Sequence, residues 1–272
     1  MSNFKVAVLG CGPAGLMAAW GAQAVSPDVD VRVFSRAQKS KMFGAQYLHE
    51  PIHGIDPGEP VTVQYKLQGT VADYREKVYG RMPFIGNMSV EALEPDHQAW
   101  DIRLTYDTLW GMWAEEIADV DIDPEGIKAI LAKADLVINT IPAPSICWRG
   151  HSFRGQEIWA AGEAHEYDIA IPYYCPDNTV LCVGETPPTF YRLSNVFGHK
   201  TVEWSMHTML TKPPVGKPSV VVKPIDTNCD CWPDVVPAGR YGTWKKGVLS
   251  HSAYNVAYHA TLEGRSLIHH EA

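Results

Sequence analysis

A strand, a glycine-rich turn and a helix follow one another at residues 4–19, FKVAVLGCGPAGLMAA, and this succession constrains the fold more than any other part of the chain. Five of the first six residues are apolar, with Lys5 as the exception, as a parallel strand covered on both faces requires. Gly10, Gly12 and Gly15 then match G-x-G-x-x-G. In this motif the glycines allow a tight turn, close approach of the backbone to a pyrophosphate, and close packing of the helix on the strand. Pro13 and Ala14 open the helix, whose free N–H groups favour an anion. The segment therefore predicts a nucleotide-binding turn.

The end of the second predicted strand, residues 31–35, bears on which nucleotide the turn accepts. A dinucleotide-binding fold normally has an acidic residue here for the ribose hydroxyls, about 20 residues after the third glycine. This chain has Ser35, a neutral hydrogen-bonding partner, followed by Arg36, which could pair with a 2′-phosphate. Gly44 and Ala45 then lie in a long loop, in place of a prompt second helix, and this argues against NADP. FAD and NADP both stay open, with FAD favoured.

The stretch VLGCGPAGLMAAW and the Gly44-Ala45 pair resemble the amino terminus of FAD-binding flavoproteins of the glutathione-reductase and amine-oxidase type. The resemblance implies FAD as the cofactor, with Gly44, Ala45 and Gln46 close to it. The family usually has a Gly-Gly pair behind an acidic residue, where this chain has Gly-Ala behind Ser-Arg. The resemblance also implies that Thr140 and Pro142, at the end of a predicted strand, lie near the isoalloxazine ring.

The carboxyl-terminal segment VVPAGRYGTWKKGVLS resembles the flavin contact of UDP-galactopyranose mutases, in which a Gly-Arg turn leads into a helix beneath the flavin. Gly239, Arg240 and Gly242 match the turn, and a helix is predicted over 248–262, beginning at Val248. The resemblance implies that Arg240 lies near the ring as a catalytic candidate. It also implies that the amino terminus of the helix stabilises negative charge at the N1/O2 edge.

Two histidines follow the Gly-Ala pair, in the stretch LHEPIHG. In the mutases a histidine-containing loop of this region lies against the flavin, so the resemblance makes His49 and His53 further catalytic candidates. A neutral imidazole in that place can hydrogen-bond the ring, or move protons near pH 7. The alternative is that both are loop histidines with structural hydrogen bonds.

The rest of the chain predicts an α/β fold, with a Rossmann-type parallel sheet and an inserted antiparallel, β-rich substrate region. A helix that begins at Pro124, with Asp123 as its cap, precedes a strand at 136–140. Short aromatic and β-branched segments, separated by Gly, Pro, Asp and Asn, fill residues 150–210 and are typical of antiparallel strands. We expect residues 1–60, 116–148 and 213–272 to form the nucleotide-binding domain. Residues 61–115 and 149–212 then form the substrate-binding region.

Aromatic and cationic side chains of the second region are candidates for the substrate site. Tyr173, Tyr174, Tyr191 and Arg192 could line a pocket for a polar or phosphorylated small molecule, because the planar guanidinium suits an anion. The alternative, which we favour, is aromatic packing on a sheet with an exposed arginine.

Charge, hydropathy and cysteine content limit the partners. The net charge is −8 with no block of like charges, so no nucleic-acid partner is expected. No run of about 18 apolar residues predicts a membrane span, and glycines interrupt the apolar amino terminus, which favours a first strand over a signal peptide. The six cysteines indicate free thiols in a reducing cytoplasm. No feature indicates an oligomeric state.

Cys229 and Cys231 form a Cys-x-Cys pair. Zinc sites more often use Cys-x-x-Cys together with a second matched pair, and the sequence has no such second pair. Cys175, Cys182 or His251 could complete a site only through folding. We therefore expect no metal here, and a reactive or structural thiol pair instead.

These features predict an FAD-dependent oxidoreductase that acts on a small polar substrate, such as a nucleotide or sugar derivative, by hydride transfer to or from flavin N5. Two enzymatic alternatives stay open: a mutase in which reduced flavin attacks a nucleotide sugar, and a flavin-free NADP-dependent reductase. A nucleotide-binding module without activity is a third. No G-x-S-x-G, Walker or H-E-x-x-H motif is present, so hydrolase, NTPase and zincin functions have no support.

Overall fold

The computed structural model describes residues 3–80, 94–161, 175–186, 188–206 and 219–271. In chain order its strands are β1 Phe4–Leu9, β2 Val29–Ser35, β3 Val61–Gln68, β4 His97–Ala99, β5 Ala118–Asp119, β6 Leu136–Asn139, β7 Phe153–Ala161, β8 Thr179–Val183, β9 Phe190–Val196, β10 His199–Ser205, β11 Ser219–Thr227 and β12 Val235–Pro237. Its α-helices are α1 Pro13–Gln23, α2 Val71–Tyr79, α3 Ile102–Trp113, α4 Pro124–Leu131, α5 Ala143–Ile146, α6 Gly239–Thr243 and α7 Ser252–Glu271. Among the described helices, none combines the length and the apolar composition that a membrane crossing requires.

The first sheet consists of parallel strands in the order β5-β2-β1-β6-β12. The chain builds it in one direction from β1 through β2 to β5, and then places β6 and β12 on the other side of β1. The strand order therefore reverses between β1 and β6. In open α/β sheets, ligands bind at the carboxyl ends of the strands at such a reversal. The sheet confirms the predicted Rossmann-type fold.

Helices cover both faces of this sheet, as a parallel sheet requires. On one face, α1, α3 and α7 share a hydrophobic core with β1 and β2. Small residues bring α1 and α7 close together, because a Cβ on Gly21 would overlap the carbonyl oxygen of Tyr254. On the other face, Ile127 of α4 is fully buried in a cluster with β1 and β6. The Asp123 side chain accepts a hydrogen bond from the Gly126 N–H at 2.7 Å, which confirms the predicted start of α4.

The second sheet has the order β11-β7-β10-β9-β8-β3-β4. Its neighbouring strands are antiparallel, apart from β3 and β8, which are parallel. The helix α2 packs on it, and Tyr74 and Val78 of that helix join a core with β3, β8 and β9. The predicted antiparallel, β-rich region is confirmed. Within the predicted region at 150–210, residues 162–174, 187 and 207–210 lie outside the described residues.

Three segments differ from the sequence prediction. β11 pairs with β7 in the second sheet, although the predicted boundary assigns it to the nucleotide-binding domain. α3 packs in the core of the first sheet, although the boundary assigns it to the substrate region. α7 begins at Ser252 and not at Val248, because the chain first turns through Gly247, whose φ is +83°. Sheet membership depends on the partner strand, which the local sequence does not specify.

Candidate functional site

The glycine-rich turn has the geometry that its spacing predicts. Gly10 has a φ of +106°, and its N–H donates to the carbonyl oxygen of Phe34 at 2.8 Å. A Cβ on Gly15 would overlap the carbonyl oxygen of Gly10, so α1 lies directly on the turn. A Cβ on Gly12 would meet only the Ser40 hydroxyl, at 3.4 Å. Gly10 and Gly15 are therefore packed, and Gly12 has room on its outer side.

The amino terminus of α1 is built to receive an anion. Gly12 is its N-cap and supplies no side-chain hydrogen bond, and Pro13 occupies the first helical position. The first turn contains no acidic residue. Because the first N–H groups of a helix have no intrahelical acceptor, those of Ala14 and Gly15 are available to an anion at the carboxyl end of β1.

Thr140 and Pro142 lie at the same edge of the sheet, since β1 and β6 are parallel neighbours. The Thr140 hydroxyl donates to the carbonyl oxygen of Leu9 at 2.7 Å, and a Cβ on Gly10 would lie 2.6 Å from that hydroxyl. Thr140 thus supports the turn from behind. Pro142 is the N-cap of α5. Their predicted proximity to a flavin ring stays a prediction.

The carboxyl-terminal segment folds back onto this edge. Gly239 has a φ of +65°, and a Cβ there would lie 2.7 Å from the Cβ of Ala14 in α1. A Cβ on Gly242 would overlap the carbonyl oxygen of Asn139, at the end of β6. The helix α6 therefore closes directly over the glycine-rich turn and the strand beside it. Val248 is half-buried and precedes α7, in a place other than the predicted helix start.

Arg240 lies where the two sheets meet. It lines a small cleft with Tyr79 of α2, Tyr191 and Lys223 of the second sheet, and Lys246 of the segment after α6. The Nε of Arg240 is buried and has no hydrogen-bond partner among the described residues. A buried donor of a charged group without an acceptor is costly, so this atom is a candidate for contact with a ligand.

Ser35 and Arg36 lie beside two carboxylates that the sequence analysis did not consider. Ser35 pairs with Asp119 in the first sheet, and the Asp119 carboxylate accepts the N–H of Ala37 at 3.1 Å. Arg36 forms an exposed ion pair with Asp121. The hydrogen bond in this pair raises the pKa of Arg36 and lowers the pKa of Asp121. Arg36 is thus already paired with an acid. The sequence analysis missed these carboxylates because it did not predict β5. This strand pairs with β2 and places Asp119 beside Ser35.

The loop after β2 is directed toward the second sheet. Gly44 has a φ of +76°, and a Cβ there would overlap the carboxylate of Glu203 in β10. Ala45 packs against the core of the second sheet, and the Gln46 side chain donates to the carbonyl oxygen of Phe43 at 2.8 Å. The expected cofactor contact of Gly44, Ala45 and Gln46 stays a prediction.

His49 belongs to a group of aromatic rings. It is half-buried, it stacks on His97 with 4.6 Å between the ring centroids, and its centroid lies 6.1 Å from that of His251. Burial, followed by the charges of His97 and His251, lowers the pKa of His49 to about 4. His49 is therefore neutral at pH 7 and suited to hydrogen bonding rather than to proton transfer near neutrality. His53 is exposed. Its backbone carbonyl oxygen accepts a hydrogen bond from Trp20 Nε1 of α1 at 2.8 Å.

Arg192 is buried, contrary to both sequence interpretations of it. It is a cross-strand neighbour of Glu203 and donates to that carboxylate at 2.6 Å, and Tyr191 donates to the same carboxylate at 2.7 Å. Its charge is thus neutralised inside the sheet, while Tyr191 also lines the cleft. Tyr173 and Tyr174 lie outside the described residues. Cys229 and Cys231 lie together with Cys147 and His151.

Comparison with known proteins gives structural similarity without sequence similarity. No protein-family model and no curated protein matches the chain. The tetrameric form of 2-methyl-3-hydroxypyridine-5-carboxylic acid oxygenase gives a TM-score of 0.52 at 11% identity, over 98% of this chain and 83% of the oxygenase. MibH, a lathipeptide tryptophan 5-halogenase, gives 0.51 at 12%, over 98% of this chain and 66% of MibH. CabE, an aromatic hydroxylase from angucycline biosynthesis, gives 0.50 at 16%, over 97% of this chain and 63% of CabE. At these identities the similarity shows the fold, a parallel sheet joined to an antiparallel-rich sheet, and not the reaction.

Proposed function

We propose that this chain is an FAD-dependent oxidoreductase that acts on a small polar substrate. The packing of α6 on the glycine-rich turn carries the proposal, because it joins the turn to the cleft that Arg240 lines between the two sheets. The names of the structural neighbours, an oxygenase, a hydroxylase and a halogenase, agree with a redox enzyme of this fold.

The residues at this edge fit FAD in two ways. The uncapped amino terminus of α1 and the open side of Gly12 leave space and donors for a diphosphate. The buried Nε of Arg240, which has no acceptor among the described residues, leaves a donor for a ring carbonyl or an anionic group in the cleft. The two features belong to segments that meet at the contact between Gly239 and Ala14.

Bound at this edge, FAD would supply the redox chemistry by exchanging a hydride with the substrate at its N5 atom. The chain's own residues would bind and orient. The first N–H groups of α1 would hold the diphosphate, and Ser35 would hydrogen-bond the ribose of the adenosine. Arg240 would place a positive charge beside the ring, and α6 would cover the turn and exclude water from it.

The charges of the cleft favour an anionic group of the substrate at its edge, because the cleft itself is small. Lys223, Arg240 and Lys246 line it, and the buried carboxylate of Glu203 is shared by Arg192 and Lys223. Among these described groups the cations outnumber the carboxylate. A cleft lined by one sign of charge raises the local concentration of ligands of the opposite sign.

The surroundings of Arg36 favour FAD over NADP. A 2′-phosphate at the end of β2 would have to displace Asp121 from Arg36, and it would face the carboxylate of Asp119 as well. The negative charge of the phosphate and those of the two carboxylates would repel one another. The flavin-free NADP-dependent reductase therefore has less support than it has from the sequence alone.

Binding of FAD to the purified protein tests the proposal. The apoprotein would be titrated with FAD, with flavin fluorescence and the absorbance near about 450 nm as readouts. Arg240→Gln would remove the unpaired donor. We expect it to weaken FAD binding about 10- to 100-fold, as for a lost charge-assisted hydrogen bond of ~1.5–3 kcal/mol.

Arg32→Gln is the matched control, since Arg32 is an exposed arginine of β2 that pairs only weakly with Asp30. It should bind FAD like the wild type. A protein that cannot be loaded with FAD but binds NADPH would contradict the proposal and favour the reductase. A reaction that needs reduced FAD but transfers no net electrons would contradict the oxidoreductase proposal and favour the mutase.

A further inference from the structure

Four metal-ligating side chains that the proposed flavin site does not use lie together, in what we call the Cys3His cluster: Cys147, His151, Cys229 and Cys231. Their ligand atoms all lie within 4.8 Å of one another. The sulfur atoms of Cys147 and Cys231 are 3.7 Å apart. The Nδ1 of His151 lies 3.5 Å from the first sulfur and 3.4 Å from the second.

The cluster lies at two of the places where the chain crosses between the sheets. Cys147 and His151 lie between α5 and β7, where the chain leaves the first sheet for the second. Cys229 and Cys231 lie between β11 and β12, where it returns. The two crossings are adjacent because β7 and β11 are antiparallel neighbours whose pairing ends at Phe153 and Thr227.

Hydrogen bonds outside the cluster fix the backbone of both crossings. The Thr227 hydroxyl donates to the carbonyl oxygen of Ser152 at 2.9 Å and accepts the N–H of Cys229 at 3.1 Å. The Trp232 indole donates to the carbonyl oxygen of Ile146 at 2.8 Å. The four ligating side chains therefore converge from a scaffold that is held by other contacts.

The spacing of the Cys147, Cys231 and His151 ligand atoms is that of three corners of a tetrahedral zinc site, and the Cys229 sulfur lies within 4.8 Å of each of them. With Zn–S bonds of about 2.3 Å and Zn–N bonds of about 2.0–2.1 Å, tetrahedral angles place two sulfurs about 3.8 Å apart and a sulfur and a nitrogen about 3.6 Å apart. The distances of 3.7, 3.5 and 3.4 Å agree with these values. Three sulfurs and one imidazole nitrogen make up a Cys3His donor set, which is common for structural zinc.

The other nitrogen of His151 has the partner that a zinc-binding histidine needs. Its Nε2 lies 3.4 Å from the carboxylate of Asp230, the residue between the two cysteines. Metal-ligating histidines usually donate their second N–H to such a group, which fixes the orientation of the ring. The Asp230 carboxylate also lies 3.5 Å from the guanidinium of Arg149.

We propose that the Cys3His cluster binds one zinc ion as a closed structural site that joins the β6–β7 and β11–β12 crossings between the sheets. Each of the three thiols loses its proton as its Zn–S bond forms, and the protons go to solvent. The sequence prediction of a thiol pair without metal considered Cys175, Cys182 and His251 as further ligands. The structure instead brings Cys147 and His151 to Cys229 and Cys231, through a strand pairing that the spacing does not show.

Metal analysis of the full-length protein tests this proposal independently of FAD. Protein purified from zinc-containing medium should carry one zinc per chain by inductively coupled plasma mass spectrometry. Replacement of the zinc by Co2+ should give the intense ligand-field bands of a tetrahedral thiolate site, together with sulfur-to-cobalt charge transfer. Cys147→Ser and Cys231→Ser should each lose these bands. Cys175→Ser should retain them, because Cys175 lies in the second sheet region, apart from the cluster.

Asp230→Asn keeps all four ligands and covers the case in which the cysteine variants do not fold. It should retain the cobalt spectrum and bind zinc about 10- to 100-fold more weakly than the wild type. The number of free thiols in the metal-free protein would be measured before Co2+ is added. If all six cysteines are free thiols and the protein still takes up no Co2+, the proposal is overturned. It would equally be overturned if Cys147 and Cys231 were found joined in a disulfide.

Discussion

Replacing Glu203 by glutamine would leave two buried cations facing a neutral amide. In the wild-type structure Tyr191 and Lys223 donate to one oxygen of Glu203, at 2.7 and 3.0 Å, and Arg192 donates to the other at 2.6 Å. Burial by itself would raise the pKa of this carboxyl. The positive charges of Arg192 and Lys223 outweigh it and hold the pKa well below its ordinary value of 4.5. Glu203 is therefore ionised in the folded protein at neutral pH.

The expected cost follows from the charges that remain. Removing one partner of a buried ion pair typically costs about 3–5 kcal/mol, because the other charge stays out of water without compensation. Glutamine keeps the volume of the side chain, so no cavity adds to this cost. The Lys223 side chain is 15% exposed and can reach water, which places the estimate at the lower end, about 3 kcal/mol. For a chain of this size, that lowers Tm by roughly 6–12 °C.

Urea unfolding, followed by tryptophan fluorescence and by circular dichroism, measures this loss. The double variant Glu203→Gln with Arg192→Met also removes the more buried cation, and should recover at least about 1 kcal/mol relative to Glu203→Gln. Since the folded pKa is depressed, the advantage of the wild type over Glu203→Gln is present above pH 4.5 and is lost as the pH falls through the folded pKa. A loss below about 1 kcal/mol at pH 7, or a double variant less stable than the single one, would refute this reasoning.

Three further predictions concern the packing of α6, the pKa of His49 and the amino-terminal cap of α4. Gly242→Ala would place a methyl group into the carbonyl oxygen of Asn139, and should cost about 1–3 kcal/mol and weaken FAD binding. Gly111→Ala, in an open and exposed position of α3, is its matched control and should stabilise by about 0.5–1 kcal/mol. Equal melting temperatures for the two variants would contradict the close packing of α6. Burial and neighbouring charge lower the pKa of His49 from 6.5 to about 4, so only the unfolded chain binds its proton between these values, and stability falls as the pH drops from 6.5 to 4. The shift represents about 3.4 kcal/mol, which solvent screening of a half-buried ring reduces to about 1–2 kcal/mol, and His49→Gln should remove that part of the pH dependence in parallel urea titrations. An unchanged pH profile would show that His49 is solvated in the folded protein. Asp123→Ala removes the cap of α4 and should cost about 1 kcal/mol by thermal unfolding, whereas a neutral result would mean that water replaces the cap.

The sequence predicted the features that depend on neighbouring residues. The strand before Gly10, the turn through Gly12 and Gly15, and the start of α4 at Pro124 each follow from spacing and backbone chemistry that are complete within about ten residues. The resemblance predicted only a flavin contact for the segment at Gly239 and Arg240, and no local pattern shows that Gly239 packs against Ala14.

The remainder depends on which strands become neighbours. The sequence analysis favours an exposed Arg192 on a sheet. In the structure, β10 places Glu203 opposite Arg192, and both side chains are buried. Cys229 and Cys231 lack a matched pair in the sequence, and only the β7–β11 pairing brings Cys147 and His151 to them. Ser35 lacks an acidic neighbour until β5 supplies Asp119. In each case the partner lies in another strand or loop, at a distance that periodicity does not encode.

The most direct test of the account is a crystal structure of the protein loaded with FAD. We expect the diphosphate at the amino terminus of α1, against Gly12 and Ala14, and the isoalloxazine ring between the two sheets, within hydrogen-bond distance of Arg240. Density for the diphosphate anywhere else, or a ring remote from α6, would contradict the assignment of this edge as the cofactor site.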